Sequence, residues 1–116
     1  MNRRLFRIYG ACYDIGRVDA PAYAHRGLML DTGRRFIPKA AVLRMVDAMA
    51  MMKMNVLHLH LADWCRYALE SAAAPLLNRP LVGDQAGQYS KADLAEILDY
   101  ANARGIWVYP EVDIPA

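Results

Sequence analysis

The sequence has little cysteine and a small net charge, and both shortages exclude classes of protein. Its 116 residues include two cysteines, Cys12 and Cys65, which form neither a metal-ligand spacing nor a disulfide framework. The formal net charge is +2, and much of the excess lies in arginines near the amino end. A charge this small does not favour a nucleic-acid partner.

Long apolar runs and glycine-rich phosphate loops are also missing. No apolar run reaches the length of a membrane span. The arginines near the start are not followed by the apolar core of about 7–15 residues that a secretory signal peptide needs. Neither G-x-G-x-x-G nor G-x-x-x-x-G-K-[ST] occurs, so nucleotide binding through those loops is not expected. We therefore expect no membrane span, and the sequence leaves the compartment open.

What the sequence does contain is an alternation of short apolar strands and amphipathic helices. Residues 55–61 are apolar, rich in leucine and valine, and preceded by a helical pattern. Such a run is typical of a strand buried in a parallel sheet. The order β-α-β-α-β favours parallel strands with right-handed crossovers. The predicted strands are 27–31, 55–61 and 106–112, the predicted helices are 38–53 and about 91–104, and 62–89 is a long irregular connection.

Each helix has a predicted start and an apolar stripe. Pro38 suits the first turn of the first helix, and Ser90 with Asp93 resembles a capping box for the second. Gly105 is in the usual place just after a helix end. Apolar residues at helical spacing predict the faces that pack on the sheet; they are Val42, Met45, Val46 and Met49, then Leu94, Ile97, Leu98 and Ala101.

Acidic residues follow the apolar strands. Asp31 ends the first strand, Asp63 follows the second, and Glu111 and Asp113 lie at the end of the third. The carboxyl ends of parallel strands are where α/β barrels and open α/β sheets hold their chemistry. The sequence therefore predicts an enzymatic site at that edge of the sheet.

Three motifs make the prediction specific. They are Arg-Gly-Leu-Met-Leu-Asp-Thr-Gly-Arg-Arg-Phe-Ile-Pro at 26–38, then Asp-Ala-Met-Ala at 47–50 with Lys-Met-Asn-Val-Leu-His-Leu-His-Leu-Ala-Asp at 53–63, and Gly-Ile-Trp-Val-Tyr-Pro-Glu-Val-Asp-Ile-Pro at 105–115. In this order and spacing they resemble the β-N-acetylhexosaminidases of glycoside hydrolase family 20, almost without gaps from about Tyr23 to Pro115. The resemblance implies a partial (β/α)8 TIM barrel, an α/β fold. Residues 1–24 would be a lead-in segment and 25–116 the amino-terminal part of the catalytic domain.

The resemblance also implies an activity. Family members remove terminal N-acetylglucosamine or N-acetylgalactosamine from glycans with retention, using the substrate's own acetamido oxygen as nucleophile. An adjacent Asp-Glu pair supplies the acid and orients the acetamido group, and no Asp-Glu dipeptide occurs in these 116 residues. We therefore expect no catalytic pair in this chain and negligible hydrolysis by the chain alone. No cofactor or metal is expected, and the expected partner is a glycan that ends in an N-acetylhexosamine.

Residue roles follow from the same resemblance. Arg34 matches the arginine that holds hydroxyls of the terminal sugar, which a planar guanidinium suits; the alternative is a solvated loop arginine like Arg35. Asp63 matches an aspartate near the general acid and Asp113 another site aspartate, both in supporting roles. Their alternatives are a loop turn or cap for Asp63 and a buried structural bond for Asp113.

Histidines and methionines have simpler interpretations. His58 and His60 share a strand face and could form a metal pair, but a histidine inside a barrel is more often a hydrogen-bonded core residue. We predict that His60 and Glu111 support the residues that touch substrate, with a structural role as the alternative. The clustered methionines are expected to pack, not to bind a cofactor.

The chain also departs from the family pattern. Trp64 replaces a usual second aspartate, Cys65-Arg66 replaces a polar pair, Arg35 replaces a frequent histidine and Ala116 replaces a glycine. These changes bear on activity and substrate preference more than on fold. Trp64 could stack on a sugar or merely fill space.

Two other hypotheses stay open from the sequence. One is a non-catalytic relative that binds sugar weakly or forms a homo-oligomer through exposed strand edges. The other is a small flavodoxin-like module of unrelated function, which ranks last because the phosphate loop is missing. The sequence does not decide between N-acetylglucosamine and N-acetylgalactosamine.

Overall fold

A computed structural model describes residues 20–63, 66–78 and 87–113. Most of the predicted lead-in segment, with Trp64, Cys65 and Ala116, lies outside these ranges. The described elements are β1 (Gly27–Asp31), α1 (Lys39–Met51), β2 (Val56–His60), β3 (Ala62–Asp63), β4 (Arg66–Tyr67), a 3-10 turn (Pro75–Asn78), α2 (Lys91–Ala103) and β5 (Trp107–Glu111).

The main sheet has three parallel strands in the order β1-β2-β5. Rows of residues cross it in register: Met29 pairs with His58 and His58 with Tyr109, while Asp31 pairs with His60 and His60 with Glu111. β2 is therefore the central strand, flanked on both sides. The predicted order of parallel strands and helices is confirmed, and the strands differ from the predicted bounds by one residue at most.

One face of the sheet packs against the helices and carries the core. Leu57 and Leu59 on β2 are fully buried in a cluster that includes residues of both helices. The opposite face carries alternate residues and is more open, since Met29 and Trp107 are each 52% exposed. This alternation follows from the two-residue period of a strand.

The predicted helix stripes are right at most positions but wrong at two. Val42, Val46 and Met49 of α1 are buried, as are Ile97 and Ala101 of α2. Met45 is 37% exposed and Leu98 is 40% exposed, so neither belongs to the core. Met45 and Leu98 lie at the border of the buried stripe on their helices. A residue there fits the helical spacing of apolar residues but points partly towards solvent.

Local signals set the helix ends. Pro38 lies at the N-cap position just before α1, not in its first turn as predicted, and makes no side-chain cap bond. Ser90 and Asp93 form the predicted capping box of α2. Both helices end in a Schellman motif. In α1 the two bonds run from Met54 N to Met49 O and from Lys53 N to Ala50 O. In α2 they run from Ile106 N to Ala101 O and from Gly105 N to Asn102 O. The left-handed residue of that motif is Gly105 after α2 (φ 71°) but Lys53 after α1 (φ 60°).

The described parts of the connection after β2 contain more structure than predicted. β3 and β4 form a two-residue antiparallel hairpin. Tyr89 is buried, donates a hydrogen bond from its hydroxyl to Ile37 O and lies with its ring centroid 4.9 Å from that of Phe36. These contacts fix the connection near the carboxyl edge of the sheet. Within the described ranges, neither helix has the length and apolar character needed to cross a membrane.

Candidate active site at the carboxyl edge of the sheet

The predicted site residues gather where the three parallel strands end. Asp31, His60 and Glu111 are the last residues of β1, β2 and β5 and lie on one row of the sheet. Because the strands are parallel and in register, their side chains project from the same face at the same height. The row brings together an acid, a histidine and a second acid.

Arg34 is held over this row by two aspartates. Its backbone N–H donates to Asp31 Oδ1 at 2.8 Å, which closes the turn after β1. Its Nε donates to Asp63 Oδ2 at 2.7 Å and lies 3.4 Å from Asp31 Oδ2. The hydrogen bond to Asp63, together with the charges of both aspartates, raises the pKa of Arg34. The side chain is 76% exposed, so a fixed cation faces solvent at the edge of the site.

The turn that carries Arg34 is fastened to β2 through its backbone. The carbonyl oxygen of His60 accepts three bonds: from Thr32 N at 2.9 Å, from Thr32 Oγ1 at 2.9 Å and from Gly33 N at 3.1 Å. Thr32 and Gly33 are buried. A Cβ on Gly33 would lie 2.9 Å from the backbone of Ala62 and Asp63, so a glycine is required for this approach. The turn therefore has a fixed position relative to Asp63.

Glu111 joins the two histidines of β2. Its Oε2 lies 2.5 Å from His58 Nε2 and 2.9 Å from His60 Nδ1. The hydrogen bond with Glu111 is the main cause that raises the pKa of His60, and the charges of Glu111, Asp113 and Asp31 add to it against the effect of burial. The bond from His60, with a smaller contribution from His58, lowers the pKa of Glu111.

The other ring nitrogen of His60 faces the two predicted site aspartates. His60 Nε2 lies 3.8 Å from Asp63 Oδ2 and 3.9 Å from Asp113 Oδ2. Arg34, Asp63 and Asp113 therefore stand at one edge of the sheet. Arg34 touches Asp63 directly, and His60 lies between Asp63 and Asp113.

Two residues at this edge have bonding roles that were not predicted from the sequence. Asp31 anchors Arg34, and a signal was available because it lies three residues earlier at a strand end, the spacing of a side chain that closes a turn. His58 shares Glu111 with His60, and its two-residue separation from His60 placed it on the same face. The sequence did not indicate that one carboxylate oxygen would serve both rings.

Two overlapping triplets have the donor atoms to hold a cation. Asp31, His60 and Asp63 form one, and His60, Glu111 and Asp113 form the other, each with its donor atoms within 4.8 Å. His60 belongs to both, and its Nδ1 already bonds Glu111. Imidazole and carboxylate groups would suit several metals, but hydrogen bonds and charge pairs among these groups account for the arrangement. The absence of a metal stays a prediction.

Comparisons with known proteins define the class first. The chain matches a β-N-acetylhexosaminidase from Streptomyces coelicolor with a TM-score of 0.76 and 40% identity, covering 84% of this chain and 21% of that one. A β-N-acetylglucosaminidase from Vibrio harveyi, solved in complex with N-acetylglucosamine, matches with a TM-score of 0.77 and 28% identity over 84% of this chain and 18% of that one. The fold is thus part of a TIM barrel of the glycoside hydrolase type.

The family follows from the sequence. The model of the family described as "Glycosyl hydrolase family 20, catalytic domain" matches residues 23–116, so the chain belongs to that family. A β-hexosaminidase from Emericella nidulans is 44% identical over 98 residues, which are 84% of this chain and 16% of that protein. The human β-hexosaminidase subunit beta is 37% identical over 98 residues, or 18% of its length. The chain thus spans about a fifth or less of these curated relatives.

Proposed function

We propose that this chain forms the amino-terminal part of the catalytic barrel of an exo-β-N-acetylhexosaminidase and builds one wall of its amino-sugar pocket. The substrate is a glycan with terminal N-acetylglucosamine or N-acetylgalactosamine. The observation that carries the proposal is the fixed Arg34 cation, bonded through Nε to Asp63 at 2.7 Å, at the carboxyl edge of a family 20 sheet.

Arg34 is the substrate-binding residue of the proposal. Its guanidinium has donors in one plane, a geometry that suits two neighbouring hydroxyls of a sugar ring. Asp31 and Asp63 hold it from the protein side. Its side chain is still 76% exposed, which leaves room for a ligand to approach. Arg35 is also exposed and offers a matched comparison.

Asp63 and Asp113 have supporting roles in the proposal. Two carboxylates near one histidine can tune the pKa of a nearby acid and stabilise positive charge that develops on the sugar. In the substrate-assisted reaction the acetamido oxygen forms a bond to the anomeric carbon, while the bond from that carbon to the leaving oxygen breaks and a glutamic acid gives that oxygen its proton. The adjacent Asp-Glu pair of the family does not occur in these residues.

The first experiment measures hydrolysis by the purified chain. We expect negligible release of p-nitrophenol from its N-acetylglucosaminide, because the chain has no Asp-Glu pair to protonate the leaving oxygen. Measurable turnover that co-purifies with the chain would show that this assignment of roles is wrong.

The second experiment restores a whole barrel. Residues 23–113 replace the matching segment of the Streptomyces coelicolor enzyme, which is 40% identical to the chain. We expect the chimera to hydrolyse the same substrate. Arg34→Lys should lower kcat/KM by about 10–100-fold, in line with the loss of a bidentate contact worth roughly 1.5–3 kcal/mol, whereas Arg35→Lys should change it less than about twofold. A folded chimera that is inactive, or equally sensitive at both arginines, would refute the proposal.

Self-association remains a further part of the proposal. Within the described residues, β1 and β5 are the outer strands of the main sheet. Outer strands present backbone N–H and C=O groups that could pair with a strand of another copy. Sedimentation of the chain over a wide range of concentration tests this, and a monomer at every concentration would count against it.

A further inference from the structure

Glu111 links two histidines of the neighbouring strand, because one of its oxygens accepts a hydrogen bond from each. Oε2 lies 2.5 Å from His58 Nε2 and 2.9 Å from His60 Nδ1. Both histidines lie on β2, and His60 is directly opposite Glu111 in the register of the sheet. A bond to each ring restrains rotation of both side chains.

These bonds determine which ring nitrogens carry protons. An ionised carboxylate can only accept hydrogen bonds, so His60 Nδ1 and His58 Nε2 must both be donors. His60 Nε2 then remains, and it faces Asp63 Oδ2 at 3.8 Å and Asp113 Oδ2 at 3.9 Å. A lone pair directed at two carboxylates is repelled, whereas an N–H there is attracted to both.

We propose that Glu111 is a positioning residue of this site: it holds the His60 ring so that Nε2 faces Asp63 and Asp113, and it thereby keeps on Nε2 a proton that lies between the two aspartates. This inference rests on the function proposed above, because these aspartates are the ones assigned to the amino-sugar pocket. Glu111 acts through His60, without touching the sugar.

The charges around His60 support this arrangement. Its side chain is only 13% exposed, whereas those of Glu111 and Asp113 are 40% and 48% exposed, so solvent screens the charges of these two carboxylates in part. A protonated ring would offset some of the negative charge that the row otherwise concentrates. Among the described residues, the charged groups that act on the ring are Asp31 from β1, Asp63 from β3, and Glu111 and Asp113 from β5 and its end. Arg34 and His58 bond to these same carboxylates, Arg34 to Asp31 and Asp63 and His58 to Glu111.

The first test needs no variant. ¹⁵N NMR of the histidine rings in the 116-residue chain reports which nitrogens are protonated as pH changes. We expect His60 to keep protons on both nitrogens above the ordinary histidine pKa of about 6.5, and to lose the Nε2 proton first when it is titrated. A ring that is already neutral at that ordinary pKa, or loss of the Nδ1 proton first, would overturn the proposal.

The second test compares two glutamate variants. Glu111→Gln removes the shared charge, and we expect the pKa of His60 to fall. Glu96→Gln removes a charge on α2 that bonds Lys39, and it should leave His60 unchanged. Equal effects of both variants would show that Glu111 has no specific role; should Glu111→Gln fail to fold, the wild-type titration still decides.

The chimera gives the readout on the reaction. Because the proposal requires protonated His60, the alkaline limb of kcat should move to lower pH in Glu111→Gln, with KM changed less than about twofold. If the alkaline limb of the kcat profile lies at the same pH with and without Glu111→Gln, the proposal is overturned. If all chimeras are inactive, the proposed function fails, while the ring titration in the isolated chain still tests Glu111.

Discussion

Gly33→Ala tests how the site is fastened to the sheet. An added Cβ would lie 2.9 Å from both Ala62 C and Asp63 N, well inside the 3.4 Å limit of ordinary contact. These atoms belong to the backbone, so they cannot rotate away as a side chain can. Overpacking of this kind costs about 1–3 kcal/mol. We expect a loss of that size in the free energy of unfolding.

Gly27→Ala is the matched control, since the same group is added near the opposite end of β1. There the new Cβ would approach His25 Nε2 at 2.7 Å, the end of a side chain that can move, and Val56 Cβ at 3.4 Å. We expect a change within about 0.5 kcal/mol, because alanine in a strand also restores the roughly 0.5–1 kcal/mol that glycine loses in entropy.

Urea unfolding followed by circular dichroism measures both variants. If the m value is unchanged, the shift in midpoint converts directly to a stability difference. The displaced Asp63 should also weaken its 2.7 Å bond to Arg34, which the ¹⁵N resonance of Arg34 Nε would report. Equal stabilities for the two variants would refute the idea that backbone contact at Gly33 sets the position of the turn.

The remaining predictions concern the helices. Lys39 and Ser90 lower the pKa of Asp93 to about 2. A carboxylate whose pKa is lower in the folded than in the unfolded chain stabilises the fold above the unfolded pKa, so this contribution should disappear as the pH falls from about 4 to 2. Over that range the free energy of unfolding should therefore fall less steeply in Asp93→Asn than in the wild type. Ser90→Ala should cost about 1 kcal/mol at neutral pH through loss of the cap, and an unchanged urea midpoint would contradict this. Lys53→Gly should stabilise the chain by about 0.5–1 kcal/mol, because Lys53 has a left-handed φ of 60°. Ala48→Gly inside α1 is its control and should destabilise by about 1 kcal/mol; a loss of thermal stability in both would argue against strain at Lys53.

The sequence predicted the sheet well because its signals are local. The apolar run before Asp63 predicted β2, and the run after Gly105 predicted β5. Ser90 and Asp93 predicted the start of α2. The helix faces were less certain, since period alone includes neighbours such as Met45 and Leu98. How far each helix rotates about its axis depends on packing between the two helices and the sheet. That packing is not local.

Which candidate residues lie together could be predicted from the sequence, but not the atoms through which they bond. The family resemblance, together with strand ends at one edge, predicted that Arg34 and Asp63 would meet across 29 positions. The choice of Nε for that bond, and of one Glu111 oxygen for two rings, depends on side-chain rotamers set by the whole cluster. The hairpin of β3 and β4 has two residues per strand, too few for any alternation to be detected.

The in-register rows of the sheet restrict where this chain can change in length. One residue inserted between Val56 and His60 would turn His60 towards the helices and a leucine towards the site, since strand neighbours alternate in direction. The same insertion between Ala72 and Ala73, which are exposed and lie outside the strands, would leave every row intact. Length variation among functional relatives should therefore accumulate between β4 and α2 and be rare inside β2, whatever sugars those relatives accept.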